Sequence, residues 1–149
     1  MRRVLSFDSA SCTGCLSCVL NCALSHEGIN APSSARIQIA FDPFEARWPA
    51  TYCRQCTKAP CAAVCPTQAI QRDPSREYWR IDYELCIGCL ACVDACPFGA
   101  CTFDPVTDKV LKCDTCGGDP VCVRSCAAQA LHWREVLDRS PISKIMFSS

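Results

Sequence analysis

The chain has 149 residues, 17 of which are cysteines, and its 15 basic and 15 acidic side chains give a formal net charge of zero. A cysteine fraction this high is typical of proteins that are held together by disulfides or by metal. Neither a basic patch nor an acidic tail stands out in the sequence, so the charge pattern does not indicate a nucleic acid partner. No apolar stretch approaches the roughly 18 residues of a membrane helix.

The N-terminal residues predict the cellular compartment. Residues 1–12 contain two arginines but no apolar stretch of the length found in a secretory signal. A twin-arginine export signal also needs a hydrophobic stretch, which is missing. We therefore expect a cytoplasmic protein, in which thiols stay reduced and are available as metal ligands.

Four cysteine runs form an internal repeat that organises the whole chain. The first run is Cys12, Cys15, Cys18 and Cys22, and the second is Cys53, Cys56, Cys61 and Cys65. The third run is Cys86, Cys89, Cys92 and Cys96, and the fourth is Cys113, Cys116, Cys122 and Cys126. Cys101 belongs to none of them.

The segments around the runs predict short elements. Residues 31–49 link the first run to the second, and a strand candidate lies at 35–40. A short turn or helix passes through the last cysteine of a run, and a short strand begins about four residues later. A hairpin that turns at 73–76 joins the second run to the third, and another that turns at 104–108 joins the third to the fourth. Residues 136–149 form a C-terminal arm that is either a strand or a docking segment.

The spacing within the runs indicates [4Fe–4S] clusters. The first and third runs have the spacing C-x2-C-x2-C-x3-C, which is that of bacterial ferredoxins. The first three cysteines of such a run bind one cubane cluster, around which their loop wraps, and the fourth cysteine binds the neighbouring cluster. Gly14 and Gly88 lie inside the wrap, where a side chain would crowd the cluster or require positive φ. The second and fourth runs are stretched between their second and third cysteines, so sixteen ligands predict four clusters.

Other uses of the cysteines fit the pattern less well. Zinc ribbons are built from paired C-x2-C motifs, and a four-ligand zinc site has no use for a third cysteine three residues on, followed by a fourth. Disulfides conflict with the expected compartment. A redox dithiol needs one isolated C-x2-C pair.

The residue after each run suggests which runs share clusters. Cys65 and Cys96 are followed by proline, whereas Cys22 and Cys126 are followed by alanine. If runs that are followed by the same residue share clusters, the second run pairs with the third and the first with the fourth, which is a nested order. The alternative is sequential pairing, of the first run with the second and of the third with the fourth. The nested order gives a first outer site (Cys12, Cys15, Cys18, Cys126), a second outer site (Cys113, Cys116, Cys122, Cys22), a first inner site (Cys53, Cys56, Cys61, Cys96) and a second inner site (Cys86, Cys89, Cys92, Cys65).

These assignments predict an α+β fold built from two nested ferredoxin-like modules with short hairpins and short helices around four clusters. We expect a single unit, residues 1–149. The outer module comprises 1–30 plus 105–135, the inner module 50–104, the linker 31–49 and the arm 136–149. Because the clusters and their loops replace a conventional core, folding should depend on metal.

Several other side chains lie near the predicted clusters. Each oxidised cluster with four thiolates carries a charge of about −2. Basic residues either offset that charge and raise cluster potentials or are ordinary surface residues: Arg54, Lys58, Lys112 and Arg124. Aromatic residues are expected to shield clusters from water: Trp48, Trp79, Trp133, Phe98 and Phe103.

Two further features have competing interpretations. Cys101 occupies the strand position that Ile70 and Leu131 fill in the other repeats, which indicates a buried small hydrophobe. The sequence His26-Glu27-Gly28 is either a partner contact or a turn, in which Gly28 has positive φ and His26 packs beside the cluster loop.

The cysteine pattern from Cys12 to Cys126 resembles that of the four-cluster ferredoxin-like subunits of multi-subunit redox enzymes. The stretch CTGCLSCVLNCALSHEG, followed by SSARIQI, resembles small iron–sulfur subunits of tungsten-dependent aldehyde oxidoreductases and related benzoyl-CoA reductases. Iron–sulfur partners of carbon monoxide dehydrogenase and hydrogenase are similar as well. The resemblance implies nested pairing, a cytoplasmic location, and a catalytic partner with a tungsten or molybdenum pterin. It also implies a flavin (FAD) subunit that uses nicotinamide.

The sequence therefore predicts an electron-transfer subunit that has no catalytic residues of its own. An enzyme with an open cluster site would lack a ligand cysteine, and all sixteen are present. A zinc-scaffolded interaction module is a remote alternative. A linear order of clusters would also allow copies of the chain to associate end to end.

Overall fold

The computed structural model describes residues 2–136, so most of the predicted C-terminal arm lies outside the described residues. Its strands are β1 Arg2–Phe7, β2 Ile37–Ile39, β3 Ala50–Tyr52, β4 Ile70–Arg72, β5 Trp79–Ile81, β6 Thr102–Asp104, β7 Lys109–Leu111 and β8 Leu131–Val136. Its α-helices are α1 Ser17–Glu27, α2 Pro60–Ala63, α3 Ala91–Ala95 and α4 Val121–Arg124. Two 3-10 segments span Pro32–Ser34 and Thr115–Gly118. The fold is a small ferredoxin-like arrangement of short helices and two-stranded antiparallel sheets.

The pairing of β1 with β8 joins the two ends of the described chain. The strands run antiparallel over six residue pairs, from Arg2 opposite Val136 to Phe7 opposite Leu131. Because β1 leads into the first run and β8 follows the fourth, this sheet brings those runs together. Helix α1 of the first run packs against α4 of the fourth, and α2 of the second run packs against α3 of the third.

Both hairpins predicted between cysteine runs are present. Strands β4 and β5 pair Ile70 with Ile81, and β6 and β7 pair Thr102 with Leu111. In the first hairpin the Asp73 carboxylate accepts hydrogen bonds from the backbone N–H groups of Ser75 and Arg76, which stabilises the turn. The local sequence thus contains the information for these turns.

The linker strand β2 has a partner that the sequence did not predict. Strand β2 falls within the predicted stretch 35–40 and pairs antiparallel with β3, which directly precedes the second run. The intervening loop exposes Phe44, which is 97% accessible. The linker therefore forms its own sheet beside the outer runs.

Buried side chains form two groups with few large apolar members. The larger group combines Leu5, Val19, Ile37, Tyr52 and Leu131 with buried cysteines. The buried members of the smaller group are Ala59, Cys61, Ile70 and Cys101. Since cysteines make up half of the smaller group, its packing depends on what the thiols bind.

One buried carboxylate connects the linker to the second hairpin. Asp104, at the end of β6, has no accessible surface. Its Oδ2 accepts hydrogen bonds from Ser34 Oγ at 2.5 Å and Thr107 Oγ1 at 2.7 Å, and its Oδ1 accepts one from the Val106 N–H at 3.0 Å. These contacts satisfy the charged group, as burial requires.

Replacing Asp104 should destabilise the fold. Asp104→Ala removes the acceptor of three donors, one of which is the buried Ser34 hydroxyl, and an unsatisfied buried donor typically costs about 1–3 kcal/mol. We expect a lower urea midpoint for the cluster-loaded protein, measured anaerobically by circular dichroism. Glu84→Ala, which removes an exposed carboxylate, is the control, and equal midpoints for the two variants would contradict the role of Asp104.

Candidate iron–sulfur cluster sites

The four cysteines of the first outer site line one mainly apolar cavity. Cys12, Cys15 and Cys18 come from the loop before α1 and its first turn, and Cys126 comes from the turn after α4. Apolar side chains complete the wall, among them Phe7, Leu16, Ile39 and Leu131. The first and fourth runs thus contribute thiols to the same cavity.

The second inner site has the same construction. Cys65 of the second run lines a cavity with Cys86, Cys89 and Cys92 of the third. The apolar wall includes Ile70, Ile81, Ile87 and Leu90. All 17 cysteines lie within the described residues, and only Cys15 and Cys89, one in each of these two cavities, are exposed.

Thiols of the second outer site also lie close together. Burial is the main cause that raises the pKa of Cys122 to about 12, and it is reinforced by negative charge on three neighbouring thiols, Cys22, Cys116 and Cys18. Burial likewise raises the pKa of Cys113 well above its usual value, with contributions from Cys53, Cys122 and Cys22. The cysteines predicted for this site therefore interact with one another.

The first inner site shows the same electrostatic coupling. Burial raises the pKa of Cys56, and charge on Cys53, Cys61 and Cys96 adds to the effect. Since Cys53 also raises the pKa of Cys113, the first inner site and the second outer site adjoin. Two predicted sets of cysteines thus share a cavity each, and electrostatic coupling links the cysteines of the other two sets.

Backbone conformation at the start of the runs directs N–H groups toward sulfur. The residue two positions after the first cysteine has positive φ in every run: Gly14 at 71°, Gln55 at 50°, Gly88 at 71° and Thr115 at 56°. In the first, second and fourth runs its N–H donates a hydrogen bond of 3.4 Å to that cysteine's Sγ. Glycine adopts this conformation without strain. At position 14, glycine is also required because a Cβ would lie 2.3 Å from the Trp48 ring.

The last cysteine of three runs accepts a hydrogen bond from the N–H four residues later. The pairs are Ala69 with Cys65, Ala100 with Cys96 and Ala130 with Cys126, at 3.3–3.4 Å. Cys22 differs because it lies inside α1, and the Arg36 N–H in the linker donates to it at 3.3 Å. Ala127 therefore follows the pattern of the proline-containing turns, whereas Ala23 lies in a helix.

These features fit [4Fe–4S] clusters. Such clusters need four thiolates, backbone donors to the sulfurs and protection from water. The two cavities have four thiols each, apolar walls and N–H groups that point at ligand sulfurs. Hydrogen bonds to the thiolate form favour it over the neutral thiol.

His26 connects α1 to the fourth run. Its Nδ1 is 3.0 Å from the Cys22 carbonyl oxygen, and its Nε2 is 3.0 Å from Asp114 Oδ1 and 3.9 Å from Cys116 Sγ. Burial opposes protonation, but these partners raise the pKa of His26 to about 12. His26, Asp114 and Cys116 are close enough to hold a metal ion. Because both ring nitrogens already have hydrogen-bond partners, we interpret His26 as a structural link, and the predicted turn at Gly28, with φ of 69°, is confirmed.

Gln55 is a site residue that the sequence did not reveal. The Nε2 of this buried side chain donates a hydrogen bond to the Cys113 carbonyl oxygen at 2.7 Å. Its Oε1 accepts one from the backbone N–H of Trp79 at 2.7 Å. Its backbone carbonyl accepts from Arg2. It therefore joins the second run to the fourth run, to β5 and to β1. Its position inside a C-x2-C motif is the only sequence feature that singles it out.

Of the four basic residues near the runs, Lys112 contacts a cysteine sulfur. Its Nζ lies 2.7 Å from Cys53 Sγ, and the residue is 2% accessible. Burial opposes its charge, but the neighbouring thiolates raise the pKa of Lys112. Lys58 is exposed, Arg124 forms an exposed pair with Asp119, and Arg54 stacks on Tyr52 with its Cζ 4.3 Å from the ring centroid.

Cys101 is buried as predicted, at 2% accessibility, but it is not merely a hydrophobe. Interaction with the thiols of Cys61 and Cys92, together with burial, raises the pKa of Cys101 above its usual value. The same contacts lower the pKa of Cys61 to about 6 and that of Cys92 to about 7. Cys101 therefore bridges cysteines that are assigned to the two inner sites.

The aromatic side chains differ in their shielding. Trp79 is partly buried against the smaller core group and donates from Nε1 to the Cys56 carbonyl oxygen at 2.8 Å. Trp133 packs on the larger group. Phe103 is 42% accessible, so it shields less than the sequence suggested.

Comparison with known proteins identifies the family. Residues 44–136 match the model of the 4Fe-4S dicluster domain, which covers the second, third and fourth runs. The electron transport protein HydN of Escherichia coli is 35% identical over 154 aligned positions, which cover 88% of this chain and 87% of HydN. The putative electron transport protein YsaA of the same organism is 36% identical and covers 91% and 92% of the two chains.

Longer proteins contain a similar segment. The polyferredoxin-like subunit of the aliphatic sulfonate oxidoreductase of Pyrococcus furiosus is 39% identical over 77% of this chain, which spans 66% of that subunit. The beta subunit of the NADH-dependent phenylglyoxylate dehydrogenase of Aromatoleum evansii is 36% identical over 85% of this chain, which spans only 29% of that subunit.

A solved structure shares the fold. A chain of the active site complex BamBC of benzoyl coenzyme A reductase superposes with a TM-score of 0.52 at 23% identity, over 92% of this chain and 82% of that chain. At this identity the likeness concerns the fold alone. The match to the family model over three cysteine runs, and the similarity to most of the length of HydN and YsaA, are more specific evidence of the family. The chain therefore belongs to the 4Fe-4S dicluster domain family and is an iron–sulfur electron-transfer protein that carries several [4Fe–4S] clusters.

Proposed function

We propose that this chain is a non-catalytic electron-transfer subunit of an oxidoreductase, with four [4Fe–4S] clusters in the nested order of sites. The main support is that each of two cavities is lined by four cysteines drawn from two distant runs. Each cluster, when bound, can take up and release one electron. The protein orders the sites, excludes water and donates hydrogen bonds to the ligand sulfurs.

The positions of the cysteines favour nested over sequential pairing. The cavity of the first outer site combines the first and fourth runs, and that of the second inner site combines the second and third. In sequential pairing, Cys22 would instead bind the cluster of the second run, and Cys65 would bind the cluster of the first run. The interactions of Cys22 with Cys113 and Cys122 argue against that exchange.

The accessible cysteines indicate where electrons enter and leave. Cys15 belongs to the first outer site and Cys89 to the second inner site, and both are exposed. Between these sites lie the second outer and first inner sites, which adjoin through Cys113 and Cys53. The proposed order is therefore first outer, second outer, first inner and second inner site. The two exposed ends would serve different partners, or would allow copies of the chain to join end to end.

The proposed catalytic partner is a tungsten or molybdenum pterin subunit, assisted by a flavin (FAD) subunit that uses nicotinamide. The motif resemblance in the first run supports this, as do relatives named for a sulfonate oxidoreductase and an NADH-dependent dehydrogenase. The fold of a benzoyl coenzyme A reductase chain favours an iron–sulfur partner of that enzyme class as the second candidate. None of the helices within residues 2–136 is long and apolar enough to span a membrane. We assign the complex to the cytoplasm because its many thiols must stay reduced.

Anaerobically purified protein should contain about 16 irons and about 16 acid-labile sulfides per chain, which corresponds to four cubane clusters. Elemental and sulfide analysis measures this directly. Cys101→Ala should keep the full content because Cys101 is not an assigned ligand, whereas Cys92→Ala should lose iron from one site. Zinc without sulfide would contradict the proposed cofactor.

Pairs of substitutions distinguish nested from sequential pairing. In the nested order Cys15→Ala and Cys126→Ala damage the same cluster, so the double variant should retain about three intact [4Fe–4S] clusters, like each single variant. Cys89→Ala combined with Cys126→Ala should retain about two. Mössbauer spectroscopy of iron-57-loaded protein counts the intact clusters. Sequential pairing predicts the opposite result for the two double variants.

The partner is tested by anaerobic isolation of the tagged chain from its native host. Tungsten or molybdenum should co-purify with a larger subunit, and flavin should be present if a nicotinamide-linked subunit joins the complex. Metal analysis and mass spectrometry identify both. A complex that contains only iron would exclude the pterin partner but leave the electron-transfer role intact.

A further inference from the structure

The ammonium of Lys112 occupies a buried position against a cluster ligand. Its Nζ is 2.7 Å from Cys53 Sγ, and only 2% of the residue is accessible. Among residues 2–136 it has no carboxylate partner within ion-pair distance. A buried cation requires a compensating negative charge, and in this protein the thiolate sulfur supplies it.

The backbone holds Lys112 firmly in this position. It follows β7, where Val110 and Leu111 are buried, and it precedes the buried ligand Cys113. The Cys113 carbonyl oxygen accepts a hydrogen bond from Gln55, whose own N–H donates to Cys53 Sγ. The lysine thus lies where the fourth run meets the second, between the second outer site and the first inner site.

We propose that Lys112 raises the reduction potential of the first inner site and so makes this site a preferred resting position for the electron between the two modules. The proposal rests on the proposed function, since it requires the cluster to be bound by Cys53, Cys56, Cys61 and Cys96. Reduction adds one negative charge to the cluster and its ligands, and a nearby cation stabilises that charge. The effect is stronger in a buried site than at a solvated surface.

The electron transfer itself is balanced without a proton. One electron leaves a reduced neighbouring cluster, which is oxidised, and enters the first inner site, which is reduced. Lys112 keeps its three N–H bonds throughout and acts as a fixed charge. Its contribution therefore appears as a shift in equilibrium potential, which can be measured without a catalytic partner.

Lys58 provides the matched control. It carries the same charge and belongs to the same run as Cys53, but it is exposed to solvent. Solvent and salt screen an exposed charge, so its removal should hardly affect the potential. Lys112→Arg keeps the positive charge and should retain most of the effect, although the guanidinium is larger.

An anaerobic redox titration followed by EPR tests the proposal on the cluster-loaded full chain. Lys112→Gln should lower the ratio of reduced to oxidised first inner site at least tenfold at a fixed potential, a shift of about 59 mV for a one-electron couple. The affected signal should be the one that disappears in Cys56→Ala, and Lys58→Gln should leave it unchanged. Four intact clusters with unchanged potentials in Lys112→Gln would overturn the inference but not the proposed function.

Iron content distinguishes electrostatic tuning from a structural role. Lys112→Gln and Lys112→Met should both retain about 16 irons per chain. Loss of iron from the first inner site in both variants would assign Lys112 to cluster retention and would refute the tuning role. Absence of clusters from the unmodified protein would instead contradict the proposed function itself.

Discussion

The gathering of many thiols into a small volume is the constraint on which the rest of the structure depends. Burial and neighbouring sulfur charges raise the pKa of Cys18 to about 11 and that of Cys122 to about 12. Without metal, the thiolate forms of these groups are therefore strongly disfavoured. Binding to iron stabilises the thiolates and offsets the repulsion between their charges. Folding and cluster binding should therefore be coupled.

The backbone around the sites is arranged to meet this constraint. Left-handed residues turn N–H groups toward the first and last cysteines of the runs. Elsewhere, polar side chains bind the runs to one another, as Gln55 does for the second and fourth. A buried carboxylate, Asp104, joins the linker to the second hairpin. Hydrogen bonds thus organise a chain whose apolar core is small.

Sequence patterns predicted the local features because these depend on nearby residues. The hairpins between the runs and the turn at Gly28 were confirmed. The pairing of β1 with β8 was missed, since it joins strands at opposite ends of the described chain and no local pattern encodes such a pairing. The alanines that suggested nested pairing proved different in conformation: Ala23 lies within α1, whereas Ala127 follows Cys126 in a turn.

The sequence by itself determined the cofactor class and the candidate ligands, because the spacing of cysteines in one run reflects how a short loop wraps a cube. The tertiary structure decided which runs approach each other, because that depends on strand pairing and helix packing between residues far apart in the chain. It also decided what surrounds each thiol. Lys112 beside Cys53 and Cys101 beside Cys61 join residues that are far apart in the chain, and no local pattern encodes these contacts.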